Sequence, residues 1–260
     1  MKSTEKLGVN SQVEKKYKKE DLLDQIRGYF NENHQSYSRK DFLDPSDFIP
    51  GITPVPYAGR VFHEEEMVAS SSALLDFWLT LGGNGSQFEE EFSSFLGVKK
   101  SILTNSGSSA NLLALSSLTS HKLGKKRIMK GDEVITVAAG FPTTVAPILQ
   151  NGLIPVFADN DPITLNLKTE DLNDLLTEKT KAVFIAHTLG NPFNLSEVSK
   201  FCEENDLWLI EDNCDALGCS YNGQFTGTFG DLSTQSFYPP HHLTLGEGGM
   251  INIPNKMQLK

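Results

Sequence analysis

Two adjacent histidines, His241 and His242, stand in a loop rich in proline and glycine between Ser236 and Gly249. Histidine takes up and releases protons near neutral pH, so a loop histidine is suited to general acid–base catalysis. Zinc binding is the rival chemistry. However, adjacent histidines point in different directions, and no cysteine or third histidine has the spacing of a zinc site. A solvent-exposed pair without a chemical role is the simplest alternative.

A carboxylate, Asp212, follows the short apolar segment 207–210. Burying an unpaired charge is costly, so a carboxylate at the end of a buried strand requires a partner. A cationic ring nitrogen would serve, and Asp212 would keep that nitrogen protonated and electron-withdrawing. A strand-end aspartate that caps a loop is the common alternative.

A third group of residues has the composition of a phosphate site. Gly107 permits a tight turn, and Ser108 and Ser109 offer amides and hydroxyls at a predicted helix N-terminus, where the helix dipole favours a phosphate. An ordinary serine N-cap explains the same residues equally well. Phe141 begins another predicted helix, and it either stacks on a flat heteroaromatic ring or belongs to the core.

The elements that must position these residues alternate between strand and helix from residue 98 onward. The predicted strands are Ser101–Thr104, Glu133–Val137, Pro155–Ala158, Ala182–Ala186 and Trp208–Glu211, with a further strand at 248–253. The predicted helices lie near Ser109–Leu123, Pro142–Asn151, Thr169–Leu176 and Leu195–Asn205. This pattern predicts an α/β fold, a mainly parallel sheet with helices on both faces. Because parallel crossovers are right-handed, the carboxyl ends of the strands share one edge, where ligands normally bind.

The first hundred residues follow another pattern. Apolar positions at Leu22, Ile26, Phe30 and Phe42 suit an amphipathic helix, and prolines at Pro45, Pro50, Pro54 and Pro56 mark an extended arm. A helix is predicted over Glu64–Leu79 and another over Gln87–Leu96, with a turn at Gly82, Gly83 and Gly85 between them. We therefore expect a helical and extended arm at residues 1–54 and a large domain at residues 55–260, incomplete at its C-terminus.

Composition restricts the class of protein. The 260 residues carry a formal net charge of −10 and a pI of about 5.1, so no basic surface points to a nucleic-acid partner. The three cysteines are too few for a disulfide framework, which favours a reducing cytoplasm. No signal core is visible near the N-terminus, and no stretch approaches the roughly 20 apolar residues of a membrane helix. We expect a cytoplasmic protein without a membrane segment.

The four segments, in this order, resemble the DegT/DnrJ/EryC1/StrS family of nucleotide-sugar aminotransferases, from about Val55 to the end. This resemblance implies a homodimer and the large domain of fold type I enzymes that use pyridoxal 5′-phosphate (PLP), with the C-terminal small domain missing. It also implies a role for each candidate residue. The phosphate contacts would be Gly107, Ser108, Ser109 and Ser236; Phe141 would stack on the pyridine ring, Asp212 would pair with its nitrogen, and Asp215 and His242 would be further cofactor or substrate contacts.

The sequence departs from this family at one position. In the segment from Ser236 to Leu243, His241 stands where the aminotransferases carry the lysine that bonds to PLP. Imidazole forms no stable Schiff base, so the resemblance implies use of pyridoxamine 5′-phosphate (PMP), with His241 as the base. This change is similar to that of the hexulose 3-dehydratases, and it implies removal of the C3 hydroxyl from a CDP-linked 4-keto-6-deoxyhexose for the dideoxysugars of O-antigen and lipopolysaccharide.

The resemblance further implies a [2Fe-2S] cluster with Cys214 as one ligand, its other ligands beyond residue 260, and an iron–sulfur or flavin reductase as partner. A buried, inert thiol is the alternative for Cys214. The alternatives for the whole protein are a cluster-free dehydratase of a GDP-linked 4-keto-6-deoxymannose and a nucleotide-sugar aminotransferase. From another class, a non-catalytic sensor with a PLP-type fold remains open.

Overall fold

The computed structural model of the protein describes residues 17–34, 48–54, 62–78 and 80–256. They form two compact units, Met1–Gly82 and Gly83–Lys260. The predicted boundary after residue 54 stays a prediction. The expectations for Phe42, Pro45 and Pro56 lie outside the described residues.

The first unit contains helices α1 (Lys19–Asn33) and α2 (Glu64–Leu75), which pack on each other. As the spacing predicts, α1 is amphipathic, with Phe30 buried on its inner face. Helix α2 ends at Leu75, and the prediction that it continues to residue 79 is wrong. Phe77 has a φ of +53°, in the left-handed region that a helix cannot contain.

The second unit is an α/β layer structure. Its helices are α3 (Gly83–Leu96), α4 (Gly107–Ser117), α5 (Pro142–Gln150), α6 (Leu172–Leu175) and α7 (Leu195–Glu204). Its strands are β1 (Lys100–Thr104), β2 (Glu133–Val137), β3 (Ile154–Ala158), β4 (Thr180–Ala186), β5 (Trp208–Asp212), β6 (Ser220–Tyr221), β7 (Gln224–Phe225), β8 (Leu232–Ser236) and β9 (Gly249–Ile253). Short 3-10 segments lie at His121–Lys126, Thr169–Asp171 and Thr188–Gly190.

Seven strands form one sheet in the order β1-β9-β8-β5-β4-β2-β3, and β6 and β7 form a separate hairpin. The five strands from β8 to β3 are parallel, whereas β9 runs antiparallel to both β8 and β1. The mainly parallel sheet is therefore confirmed. Strand β9 is the antiparallel insertion that joins β1 to the parallel part.

Both faces of the sheet are covered, as the alternation of elements predicts. Alternate residues of each central strand enter different cores. Val183 and Ile185 of β4 pack with Leu195 and Val198 of α7 on one face. Phe184 of the same strand packs on the other face, in a cluster that also contains residues of α4 and α5.

Several predicted boundaries are wrong, each for a local reason. Helix α4 begins at Gly107, because Ser106 caps it with its side chain, and it ends at Ser117 instead of Leu123. Helix α3 begins at Gly83, so the glycines predicted as a turn belong partly to its first turn. The segment predicted as a helix over Thr169–Leu176 contains one 3-10 turn and the four-residue α6. Strand β5 extends to Asp212, which is part of the strand rather than following it.

Strand β8 was not predicted, because its sequence Leu-Ser-Thr-Gln-Ser has no apolar run. All five residues are nevertheless buried. Their polar side chains are hydrogen-bonded inside the protein, as buried polar groups must be. Ser233 donates to the carbonyl of Gly227 at 2.7 Å, and Thr234 donates to the side chain of Asn111 at 2.5 Å.

Candidate active site

The carboxyl edge of the parallel strands brings the candidate residues together, as the handedness of the crossovers predicts. Asp212, at the end of β5, lies in register with Ala186 on β4 and Thr234 on β8. Ser236 ends β8 opposite Gly249, the first residue of β9. The polar residues therefore form one row across adjacent strand ends.

The carboxylate of Asp212 is buried and is fixed by three donors. Its Oδ2 accepts hydrogen bonds from Asn111 Nδ2 at 2.8 Å and from Thr144 Oγ1 at 2.7 Å. Its Oδ1 accepts the backbone N–H of Cys214 at 3.2 Å. These bonds come from the helices α4 and α5 and from the loop after β5, so the carboxylate is preorganised by three separate segments.

The N-terminus of α4 lies close to the end of β8. Ser106 caps this helix by accepting the N–H of Ser109 at 3.1 Å. A Cβ at Gly107 would lie 2.5 Å from the Cβ of Ser236, and a Cβ at Gly249 would lie 2.2 Å from the carbonyl oxygen of Ser106. Only glycine fits at either position. The two glycines let the first turn of α4 pack closely against the ends of β8 and β9, so that the Ser236 hydroxyl lies beside the helix N-terminus, a position that suits a phosphate.

Phe141 is the N-cap residue of α5, where the sequence predicts it, and its side chain is 68% exposed. It therefore does not belong to the core. Three residues later Thr144 contacts Asp212, so the first turn of α5 positions both groups. An exposed ring at the start of the helix that also supplies Thr144 is available for stacking on a flat ligand.

The loop histidines differ in their surroundings. The side chain of His241 is 19% exposed, and its Nδ1 lies 3.4 Å from Oδ1 of Asp215. His242 is exposed. The bond with His241 is the main cause that lowers the pKa of Asp215 below its usual value, and the charge of His242 adds a smaller effect. The structure therefore distinguishes the two histidines, and His241 is the one with a side-chain partner.

Cys214 lies two residues beyond Asp212, and its environment disfavours the thiolate. Burial and the adjacent Asp212 charge raise the pKa of the Cys214 thiol well above its usual value. Within the described residues there is no group of three or more His, Cys, Asp or Glu side chains that could hold a metal ion. All three cysteines are free.

A buried pair of polar side chains, Glu211 and His187, lies next to Asp212 in the fold. Glu211, the preceding residue of β5, is fully buried and contacts His187 Nε2 at 3.1 Å. Its carboxylate also accepts the backbone N–H groups of Gly227, Phe229 and Gly230 at 2.7–2.8 Å. Glu211 thus ties β5 to the loop before β8.

Sequence reasoning missed Asn111, Thr144, Thr234, Gly249 and the pair formed by Glu211 and His187. The available signals are weak. Asn111 lies one helical turn beyond Gly107, and Thr144 lies three residues beyond Phe141, so both face the same strand end as the residues that were predicted. His187 carries no motif that distinguishes it from an ordinary core histidine.

The described residues contain no helix that is long and apolar enough to span a membrane.

A family model described as the DegT/DnrJ/EryC1/StrS aminotransferase family matches residues 61–259. The lipopolysaccharide biosynthesis protein RfbH of Salmonella typhimurium strain LT2 is 55% identical over 209 residues, which cover 80% of this chain and 48% of that protein. The dTDP-4-dehydro-2,6-dideoxy-D-glucose 3-dehydratase of Saccharopolyspora spinosa is 49% identical over 233 residues, covering 90% of this chain and 48% of that enzyme. The chain thus spans about half the length of these relatives.

Solved structures show the same fold. The E. coli GDP-4-keto-6-deoxy-D-mannose-3-dehydratase with bound hydrated PLP superposes with a TM-score of 0.73 at 36% identity, covering 78% of this chain and 52% of that one. A mutant of GDP-4-keto-6-deoxymannose-3-dehydratase with bound GDP-perosamine gives a TM-score of 0.74 at the same identity and coverage. The predicted fold type I architecture is therefore confirmed.

Proposed function

This chain belongs to the DegT/DnrJ/EryC1/StrS aminotransferase family, and from that membership we propose that the whole protein is a PMP-dependent 3-dehydratase of a nucleotide-linked 4-keto-6-deoxyhexose. The observation that carries the proposal is His241. By the family resemblance this residue stands at the position of the aminotransferase lysine, and it lies on a loop beside Asp215, 3.4 Å from its carboxylate. Dehydratases of this kind recur among the relatives of the chain.

The residues fit a flat, phosphorylated, cationic ring. The N-terminus of α4 and the Ser236 hydroxyl, which Gly107 and Gly249 allow to pack close together, suit the phosphate. Asp212 supplies a buried, preorganised carboxylate for the ring nitrogen. Phe141 supplies an exposed aromatic face. The donor set therefore agrees with PMP, and the assignments of Gly107, Ser108, Ser109, Phe141, Asp212 and Ser236 as cofactor contacts stand as proposals.

When bound, PMP supplies an amine that condenses with the ketone of the sugar and a pyridinium ring that withdraws electrons. Asp212 holds the proton on the ring nitrogen, because the charge of its buried carboxylate favours the cationic ring. Phe141 covers one face of the ring and excludes water from it. With PMP and sugar bound, His241 would take a proton from the C4′ carbon of the cofactor, and hydroxide would depart from C3 of the sugar with the electrons of the C3–O bond, so that water is removed overall.

The absence of a lysine at this position favours dehydration over transfer of the amino group. An imidazole takes and returns protons but does not replace lysine as the covalent anchor of PLP. The aminotransferase function that the family name carries is therefore the weaker candidate for this chain. A non-catalytic sensor would have no use for a base held beside a carboxylate.

The nucleotide is a finer proposal. We propose a CDP-linked substrate, while the named relatives include enzymes for dTDP-linked and GDP-linked sugars. The product would enter dideoxysugar synthesis for O-antigen, and the relative RfbH is named as a lipopolysaccharide biosynthesis protein. A homodimer in the cytoplasm is part of the same proposal.

The [2Fe-2S] cluster is supported only by the position of Cys214, and the described residues do not fit it by themselves. They contain no group of three or more possible ligands. No step of the reaction is derived through a cluster. A flavin or iron–sulfur reductase as partner rests on the same proposal.

The test is a panel of substrates. The whole protein, loaded with PMP, is incubated with CDP-, GDP- and dTDP-linked 4-keto-6-deoxyhexoses, and loss of the C3 hydroxyl is followed by mass spectrometry. We expect deoxygenation with the CDP sugar and its loss in His241→Asn. Deoxygenation confined to the GDP sugar and sustained by glutamate would identify the cluster-free enzyme. Formation of a 4-amino sugar without dehydration would contradict the proposal.

A further inference from the structure

Asp215 is a carboxylate at the site that the family resemblance assigns only as a cofactor or substrate contact, and its surroundings indicate another role. Its Oδ1 lies 3.4 Å from Nδ1 of His241. This distance is long for a hydrogen bond. Catalytic hydrogen bonds are often long in ligand-free sites, however, and shorten when the substrate binds. The contact is made through Nδ1, the ring nitrogen that orients a catalytic histidine in other enzymes.

A strained turn holds Asp215 in place. Leu189 has a φ of +54°, which is an uncommon conformation for leucine, and its side chain is 77% exposed. Burial within the core therefore does not explain the strain. The backbone of Leu189 also lowers the pKa of the Asp215 carboxyl, by less than His241 does. The next residue, Gly190, lies so close to the Asp215 backbone that a Cβ there would be 2.7 Å from its carbonyl oxygen. A strained backbone conformation such as that of Leu189 persists only where contacts in the surrounding structure maintain it.

The other nitrogen of His241 remains available for chemistry. Within the residues that the structure describes, Nε2 of His241 has no hydrogen-bond partner. Tyr238 contacts the ring from the side, with its centroid at 6.4 Å. A proton on Nδ1 would leave the lone pair of Nε2 directed away from Asp215.

We propose that Asp215 is a positioning residue, whose carboxylate accepts the Nδ1 proton of His241 and so keeps Nε2 unprotonated as the base. This inference rests on the proposed function for the identity of the reaction. The lowered pKa of Asp215 agrees with it, because the carboxylate stays ionised over the range in which histidine exchanges protons. Asp215 thus acts through His241 and not through the cofactor.

The first test reads the tautomer of His241 directly, without cofactor or substrate. The protein contains six histidines, and the His241 signals in a ¹⁵N-histidine NMR spectrum are assigned by their loss in His241→Gln. We expect the Nδ1–H tautomer in the wild type and a shift toward the Nε2–H tautomer in Asp215→Asn, because an amide can donate to Nδ1 where a carboxylate cannot. An unchanged tautomer in Asp215→Asn would overturn the proposal.

The second test separates positioning from cofactor contact. In the PMP-loaded protein supplied with the nucleotide-linked ketosugar, we expect Asp215→Asn to slow proton exchange at C4′ by roughly tenfold to a hundredfold, within the range of general base catalysis. The Kd for PMP should stay within about threefold, Asp215→Glu should restore part of the rate, and the exposed Asp174→Asn should change neither quantity. A parallel loss of exchange and PMP affinity would overturn the proposal and make Asp215 a cofactor contact. Absence of exchange in the wild type would contradict the proposed function, while the tautomer comparison would still decide the role of Asp215.

Discussion

Asn111 and Asp212 are 101 positions apart in the sequence, and the amide of Asn111 donates to Oδ2 of Asp212 across 2.8 Å. Thr144 donates to the same oxygen at 2.7 Å. Oδ2 is therefore occupied by two protein donors, whereas Oδ1 receives the more distant N–H of Cys214 at 3.2 Å. If Asp212 pairs with the ring nitrogen of the cofactor as proposed, we expect Oδ1 to be the oxygen that does so.

Removing one of these donors should loosen the carboxylate. We expect Thr144→Val to lower the free energy of unfolding by about 1–3 kcal/mol, because a buried charged acceptor loses a hydrogen bond. It should also weaken binding of PMP by about tenfold, measured by fluorescence titration, since the carboxylate is less well oriented. The neighbouring Thr143→Val is the matched control. If the two variants lower stability and PMP affinity equally, the hydrogen bond from Thr144 to Asp212 has no specific effect.

The close approach of α4 to β8 predicts a steric effect. In Gly107→Ala the new Cβ would lie 2.5 Å from the Cβ of Ser236, so the helix must move. We expect a loss of stability of about 1–3 kcal/mol and a fall in affinity for inorganic phosphate and PMP. In contrast, Gly28→Ala in α1 meets open space and should stabilise the protein by about 0.5–1 kcal/mol. Unfolding in urea measures the stability of the two variants. An affinity for phosphate in Gly107→Ala equal to that of the wild type would contradict the phosphate assignment.

Glu211 is predicted to act on stability. Glu211→Ala removes the acceptor of three backbone N–H groups and of His187, all of them behind the site. Loss of one member of a buried pair costs about 3–5 kcal/mol. The exposed Glu204→Ala, whose partner Lys200 lies 3.8 Å away, should cost less than about 1 kcal/mol. Chemical denaturation compares the two variants, and a small effect of Glu211→Ala would show that water replaces the carboxylate.

The pH dependence of Cys214 follows from its raised pKa. Since burial and Asp212 favour the neutral thiol, the thiolate forms only at a pH above the usual range. In a Cys202→Ser, Cys219→Ser background, the rate of reaction with a small thiosulfonate should therefore rise late with pH. Asp212→Asn removes a negative charge and should move this rise to lower pH. A reaction rate that already reaches its plateau near the ordinary thiol pKa, about 8.5, would contradict the raised pKa of Cys214.

Hydrophobic patterning was sufficient for β2, β4 and β5, because these parallel strands are buried on both faces and consist largely of apolar residues. It failed at β8, where Thr234 and Gln235 are buried through hydrogen bonds to partners distant in the sequence. It also failed to place β9 between β1 and β8. Such an arrangement depends on long-range pairing that no local pattern records.

The candidate site could be predicted as far as residue types and loop position allow. His241, Asp212 and the serines near Gly107 carry a visible chemical signal. The residues that position them carry no such signal. Asn111 and Thr144 resemble ordinary helix residues in the sequence, and only the folded structure shows that they contact Asp212. Likewise, the preference for His241 over His242 could come only from an alignment. The structure adds that His241 has the carboxylate partner.

The central claim is that His241 is the base, and proton exchange at C4′ of bound PMP tests it most directly. PMP deuterated at C4′ and the nucleotide-linked 4-keto-6-deoxyhexose are added to the wild type, to His241→Asn and to the matched control His242→Asn, and loss of deuterium to water is followed by mass spectrometry. The account predicts exchange in the wild type and in His242→Asn, and a loss of about a hundredfold or more in His241→Asn with PMP still bound. Undiminished exchange in His241→Asn would contradict it.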